Sequence, residues 1–207
     1  MTVRFVTGNG GKVREAREYL ESVGEEVEQV AYDYAEIQSD DLAEIAARGA
    51  QEAFEALGGD EPVVVDDTGL FVDALDGFPG PYSAYVEHTV GVERVWHLVE
   101  PEENRRARFR SVIAYADGER EAQSASEGTS GEGTEPRVKT FEGAVRGRIV
   151  APRGEGGFGY DPIFEHDGET LAEMSTEEKN AISHRGRALA KFADWLADEP
   201  AERKGPR

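Results

Sequence analysis

Val63-Val64-Val65-Asp66-Asp67-Thr68-Gly69-Leu70 is a β-branched run that ends on two adjacent carboxylates. Three consecutive valines suit a strand buried on both faces, and the residues from Asp66 onward read as an acidic turn at its end. Working outward, Thr2 to Val6 predicts another short buried strand, broken by Thr7-Gly8-Asn9-Gly10-Gly11. Val13, Ala16, Leu20 and Val23 then recur at helical spacing, and Gly24 is the stop. Val27 to Tyr32 predicts a second strand. Asp41 to Leu57 follows as an amphipathic helix with Leu42, Ile45, Ala46, Ala50, Ala53 and Leu57 inward. Asp41 and Glu44 fit a capping box for it, and Gly58-Gly59 ends it. Strands alternating with helices argue for an α/β fold.

Beyond the acidic run the pattern is less regular. Val92 to Val99 predicts a helix and Phe109 to Ala116 a strand. Ser124 to Pro136, rich in Ser, Gly, Glu and Thr, lacks core-forming residues and reads as a solvated hairpin tip. Val138 to Val150 predicts a strand pair broken at Gly143 and Gly147. Ser175 and Glu178 fit a capping box for a short helix, and Ser183 caps a longer one whose inner face is Leu189, Phe192, Ala193 and Leu196. With no internal repeat and no clear linker, residues 1–207 read as a single domain.

The chain has 207 residues, 43 acidic and 23 basic, for a formal charge of −20. Such a surface repels nucleic acid and anionic membranes, so neither is expected as a partner. The basic residues comprise 18 Arg and only 5 Lys. Acid excess with scarce lysine fits a halophilic protein, because concentrated salt shortens the range of self-repulsion. No cysteine is present, which rules out disulfides and thiolate metal sites. The first residues hold no apolar run of signal-peptide length, and no stretch approaches the roughly 20 apolar residues of a membrane span. A cytoplasmic protein is therefore expected.

Several clusters can carry chemistry. Thr7, Gly8, Asn9, Gly10 and Gly11 precede Lys12 between a predicted strand and a helix start, where backbone N–H groups and the helix N-terminus favour an anion. This is neither a Walker loop nor a dinucleotide fingerprint, since Val6 and Val13 occupy positions those motifs need for glycine or a hydroxyl. Asp66 and Asp67 repel one another unless a cation neutralises them, which points to a hard metal such as Mg²⁺. Their adjacency lacks the Asp-x-Asp spacing of haloacid-dehalogenase-type phosphatases. Glu36 precedes the second helix and can complete a metal site. Phe158-Gly159-Tyr160-Asp161 sets a ring and a carboxylate on a glycine-rich turn, able to stack on a base and accept its N–H groups. Ser183-His184-Arg185, with Lys179 one turn upstream, offers donors to an anion or a carbonyl oxygen. Together these groups describe a nucleoside triphosphate held with Mg²⁺.

On these motifs the chain resembles the inosine triphosphate pyrophosphatase family nearly end to end. The resemblance rests on Thr7-Gly8-Asn9 with Lys12, Glu36-Ile37-Gln38, Asp66-Asp67-Thr68-Gly69-Leu70, Asp73-Ala74-Leu75 and Gly77-Phe78-Pro79-Gly80-Pro81-Tyr82-Ser83. It extends through Gly157-Phe158-Gly159-Tyr160-Asp161-Pro162-Ile163-Phe164, Glu178-Lys179-Asn180 and Ser183-His184-Arg185. It implies an elongated mixed α/β sheet with two lobes flanking a central cleft, and a homodimer. It further implies that Glu36 and Asp67 bind Mg²⁺ with Asp66 nearby, and that Asp67 takes a proton from the attacking water. Thr7 to Lys12 and Lys179 would hold the phosphates, and Phe158 would stack on the purine. Asp161, His184 and Arg185 would read its 6-oxo edge, with Thr68, Gly159 and Tyr160 also in the substrate site. The implied reaction is hydrolysis of ITP, dITP and XTP to the monophosphate and pyrophosphate. Two positions depart from the family: Gly49 stands where many members carry Lys, and Tyr85 where bacterial members carry Arg. Two other readings stay open, a pyrophosphatase of different base preference and a catalytically silent nucleotide-binding protein.

Overall fold

The computed structural model describes residues 2–35, 37–118 and 136–198; Glu36 and residues 124–135 of the expected polar tip lie outside them. Strand β1 (Thr2–Val6) leads into helix α1 (Gly10–Leu20), and β2 (Glu26–Val30) into α2 (Leu42–Ala56). Then come β3 (Val63–Val72), the two-residue β4 (Pro79–Gly80), and helices α3 (Ser83–Thr89) and α4 (Val92–Val99). Long strands β5 (Arg106–Asp117) and β6 (Arg137–Ile149) are followed by short β7 (Phe164–His166) and β8 (Glu169–Thr170), then α5 (Thr176–Ala181) and α6 (His184–Asp198). The described strands form one mixed sheet in the order β2-β1-β3-β5-β6-β7-β8, with β4 paired to β3. The expected mixed α/β sheet is therefore present.

The acidic stretch differs from its expectation in a way that matters for the site. Asp66 to Leu70 is no turn; it is the middle of a ten-residue strand. The antiparallel ladder with β5 runs unbroken from Val63 opposite Ala116 to Val72 opposite Ala107. What ends at Val65 is the parallel pairing with β1. From Asp66 to Gly69, then, β3 is paired with β5 alone, before β4 joins it at Leu70 and Phe71, so the gap between β1 and β4 falls where the carboxylates begin.

Three apolar clusters cover the sheet. Val3, Phe5, Val64, Ile113 and Tyr115 pack under α1 and α6. On the opposite face Val6, Val63, Val65, Val112 and Ala114 pack under α2. The far ends of β3, β5 and β6 pack with α4, Tyr160, Ile163 and Phe164. Caps form largely as expected: Ser175 and Glu178 make the reciprocal capping box of α5, and Ser183 Oγ accepts from Gly186 N at 3.0 Å. Asp41 caps α2 through Ala43 N at 2.9 Å, but Glu44 makes no box with it and instead accepts from Ser39 Oγ at 2.7 Å. No helix among the described residues is long and apolar enough to cross a membrane.

Residues 138–149 belong to one continuous strand, not a broken pair. Its glycines are points of close approach. A Cβ on Gly143 would run into the His184 carbonyl and stand 2.6 Å from Ala188 N, so only glycine lets the first turn of α6 lie on the sheet. Gly143 also sits opposite Ser111 in the ladder with β5. Gly143→Ala is expected to destabilise the fold by about 1–3 kcal/mol, because backbone cannot yield as a flexible side chain can. Thermal unfolding should show this as a Tm lowered by about 2–10 °C.

Candidate active site

The two carboxylates at the centre of β3 follow the pleat: neighbouring residues point to opposite faces. Asp66 shares its face with Val64, toward α1 and α6, and Asp67 shares its face with Val65, toward α2. A buried anion on one side and a half-buried one on the other have different surroundings and different uses.

Asp66 is buried among donors from four elements. Lys12 Nζ, in the first turn of α1, donates to the Asp66 carbonyl at 2.7 Å and lies 3.3 Å from Oδ2. Arg185 Nε, in the first turn of α6, reaches Oδ2 at 2.5 Å. Ser111 Oγ of β5 donates to Oδ1 at 2.5 Å, and Thr68 Oγ1 lies 3.3 Å from the same oxygen. Burial by itself would raise the Asp66 carboxyl, but Lys12, Arg185 and the Ser111 hydrogen bond hold it well below the ordinary carboxylate range. Arg185 is in turn raised by Asp66 and Glu15, against the effect of its own burial, and its Nη1 meets Glu15 Oε2 at 2.9 Å. Ser183 Oγ donates to Glu15 Oε1 at 2.6 Å. The cation that neutralises Asp66 is therefore a pair of side chains. Lys12, expected on phosphate, and Arg185, expected at the base edge, are both placed on it.

Asp67 has a different neighbour. Tyr34 Oη, from segment 31–35 between β2 and α2, donates to Asp67 Oδ1 at 3.2 Å and lies 3.5 Å from Oδ2. Tyr34 touches the carboxylate without neutralising it. The donor chemistry suits Mg²⁺, which takes one or two protein carboxylates and completes its shell with phosphate oxygens and water. This arrangement favours Asp67 over Asp66 as a metal-holding group. Glu36, the other expected ligand, lies outside the described residues.

The glycine-rich loop is built around its asparagine. Asn9 Oδ1 caps α1 by accepting from Gly11 N at 2.8 Å and Lys12 N at 3.4 Å, and Thr7 Oγ1 accepts from Asn9 N at 3.1 Å. Two amides expected to face an anion are thus engaged by the cap, which Asn directly before a helical pattern could have announced. Gly8 and Gly10 complete the loop on either side of Asn9.

The third group surrounds the aromatic turn. Phe158 is 72% exposed. Asp161 is buried and accepts from Phe158 N at 2.8 Å and Lys179 Nζ at 2.5 Å, while Lys179 Nζ also stands 4.3 Å over the Phe158 ring. Lys179, expected on phosphate, is placed on Asp161. Gly157 and Gly159 have positive φ of 73° and 61°, and the turn requires both. Tyr160 is buried with its hydroxyl on the Ser83 carbonyl at 2.8 Å, so its side chain fastens the turn to α3. His184 stacks on Phe109 with centroids 5.2 Å apart and planes 14° from parallel. Its Nε2 is buried with no hydrogen-bond partner among the described residues. Burial, then the nearby Arg185 cation, holds the imidazole down to about 3 from 6.5. Tyr85 is 70% exposed, whereas Gly49 is buried against the Tyr34 ring. Sequence reading missed Glu15, Tyr34 and Ser111; of these only Ser111, a polar residue within an apolar strand, carried a signal.

The neutral imidazole has a pH signature. The unfolded His184 takes its proton near pH 6.5 and the folded one only near 3, so the unfolded state binds the extra proton between these values. Stability therefore falls as pH drops through that window, by about 2 kcal/mol between pH 6.5 and about 4.5. Unfolding curves of His184→Gln should lose this part of the slope; an unchanged slope would place the proton elsewhere.

Residues 3–195 match the Ham1 family. The chain is 51% identical over 208 residues to the dITP/XTP pyrophosphatase of Methanopyrus kandleri, covering 98% of this chain and 100% of that protein. It is 50% identical to the dITP/XTP pyrophosphatase of Thermococcus kodakarensis, covering 96% and 98% respectively. Among solved structures, the Staphylococcus aureus Ham1 protein superposes with a TM-score of 0.78 at 29% identity, covering 97% of this chain and 100% of that one. A chain matched by the family model over residues 3–195, whose fold superposes on a Ham1 protein with a TM-score of 0.78, is a member of the Ham1 family.

Proposed function

We propose that the chain hydrolyses non-canonical purine nucleoside triphosphates, ITP, dITP and XTP, to the nucleoside monophosphate and pyrophosphate. The observation that carries this reading is the division of labour on β3: Asp66 gathers Lys12 and Arg185 on one face while Asp67 presents a half-buried carboxylate on the other. The names of the two archaeal relatives support it. In this reading the substrate lies in a cleft between two lobes of a single domain.

In this mechanism Asp67 accepts a proton from water as the oxygen attacks the α-phosphorus. The bond from that phosphorus to the α–β bridging oxygen breaks, and pyrophosphate leaves with the electron pair. Lys12 has three N–H donors, so it can hold Asp66 and still offer one to a phosphate oxygen, with the Thr7 to Gly11 loop beside it. In this reading Lys179 would exchange its contact with Asp161 for one with the phosphates. Asp67 and Glu36 would hold Mg²⁺, which would supply neutralisation of the triphosphate charge. Phe158 stacks on the purine, flanked by Gly159. Asp161 accepts from the base N–H, and neutral His184 donates Nε2–H to the 6-oxo oxygen. Arg185 acts at the same edge, tethered by Asp66 and Glu15. A 6-amino group opposite that donor would leave a buried partner unmade, at a cost of about 1–3 kcal/mol, which disfavours ATP.

The same reading includes a homodimeric, cytoplasmic, salt-adapted enzyme that engages neither nucleic acid nor membrane; the charge of −20 supports the last three points. Pyrophosphate and monophosphate release should be followed with Mg²⁺ for ITP, XTP, dUTP and GTP. Preference for dUTP would give the pyrimidine reading, and no IMP even in molar salt would give the silent binder. Asp67→Asn should lower turnover by about 10²–10⁴-fold with nucleotide binding largely retained; near-normal turnover would move the base elsewhere. Thermal unfolding should show Tm rising by roughly 10 °C between about 0.1 M and about 2 M KCl, as screening shortens the range of self-repulsion. A flat response would contradict salt adaptation.

A further inference from the structure

We propose that Tyr34 is a positioning residue for Asp67, and that Gly49 is in α2 to make room for it. The proposal rests on Asp67 being the proton acceptor. Segment 31–35 is pinned to α2 by Glu52, whose Oε1 accepts from Tyr32 Oη at 3.2 Å and Ala35 N at 3.3 Å. Between these anchors the Tyr34 ring packs with the cluster beneath α2, and its hydroxyl spans both oxygens of Asp67 at 3.2 and 3.5 Å.

The position of the ring depends on the helix beneath it. Gly49 is buried in the middle of the fifteen-residue α2. A Cβ there would stand 2.5, 2.8 and 2.9 Å from Tyr34 Cε2, Cδ2 and Cζ, closer than real Cβ contacts come. Glycine in a helix interior is less stable than alanine, so this helix gives up stability to hold the ring close against its backbone. A ring held this way can carry its hydroxyl to only one place, since a tyrosine has just two side-chain torsions. The hydroxyl restricts rotation of the Asp67 carboxylate and occupies one of its several lone-pair sites, leaving others to accept a proton from water. A general base works only when it lies within hydrogen-bond reach of the proton it removes, and small misplacements are costly.

Tyr34→Phe keeps the ring in its slot and removes only the contact to Asp67. With ITP and Mg²⁺ it should lower kcat about tenfold while KM stays within about twofold and Tm within about 2 °C. A second measurement does not depend on turnover. Gly49→Ala should lower Tm in the otherwise unchanged protein, where the methyl meets the ring. In a Tyr34→Ala background it should raise Tm, where the slot is empty and the helix preference of alanine shows through. Unchanged kcat in Tyr34→Phe, a raised KM at constant kcat, or the same Gly49→Ala effect in both backgrounds would each overturn the proposal. Asp67→Asn assayed alongside separates the two readings. If it is inactive while Tyr34→Phe behaves normally, only the role of Tyr34 fails; if it stays active, the assignment of Asp67 fails and takes this proposal with it.

Discussion

A buried carboxylate cannot remain charged in a protein interior without partners, and Asp66 meets that requirement by drawing in both ends of the chain. Lys12 comes from the first helix and Arg185 from the last, with Ser111 and Thr68 supplied by the sheet. Glu15 then balances the second positive charge on Arg185 and binds Ser183, the cap of α6. Removing one member of such a buried pair typically costs about 3–5 kcal/mol, because the partner charge is left unmatched. The network thus ties α1, β3, β5 and α6 into one arrangement and fixes the residues that lie beside His184 and Asp67.

Close approach of backbone is the second constraint. Gly143 lets α6 settle on β6 at the turn that carries His184 and Arg185, and Gly49 lets the Tyr34 ring lie on α2. Both glycines sit inside regular elements, where they weaken intrinsic preference. In each case the lost stability corresponds to the placement of a group at the site: an imidazole in one, a phenol in the other. Local sequence preference is overridden where the site requires it.

The aromatic turn works by the same economy of parts. Asp161 receives Phe158 N and Lys179 Nζ on one oxygen, and Lys179 simultaneously covers the face of Phe158. A cation over a ring is favourable when partly desolvated, so Lys179 joins the exposed ring and the buried carboxylate. Tyr160 anchors the turn from below through the Ser83 carbonyl. The turn is therefore positioned from two sides before any ligand arrives.

Periodicity and punctuation determined most of the secondary structure. The helix beginning near Gly10, the one from Leu42, the whole of Val92–Val99 and the capping box of α5 follow from apolar spacing and capping residues, which act within a few positions of one another. The chemistry of the site was also legible, because Asp66-Asp67, Lys12, Asp161 and Ser183-His184-Arg185 are residue types whose charge and hydrogen bonding do not depend on context. Only the tertiary structure decided how they pair. Asp66-Asp67 read as a turn because local composition resembles one, yet β5 extends the ladder through it, and pairing across more than forty residues is invisible to spacing. Once the strand continues, the pleat sends the two carboxylates to opposite faces, and each meets partners distant in sequence: Lys12, Ser111 and Arg185 for one, Tyr34 for the other. Sequence set which charges exist; the sheet's alternation set which partners each of the two carboxylates meets.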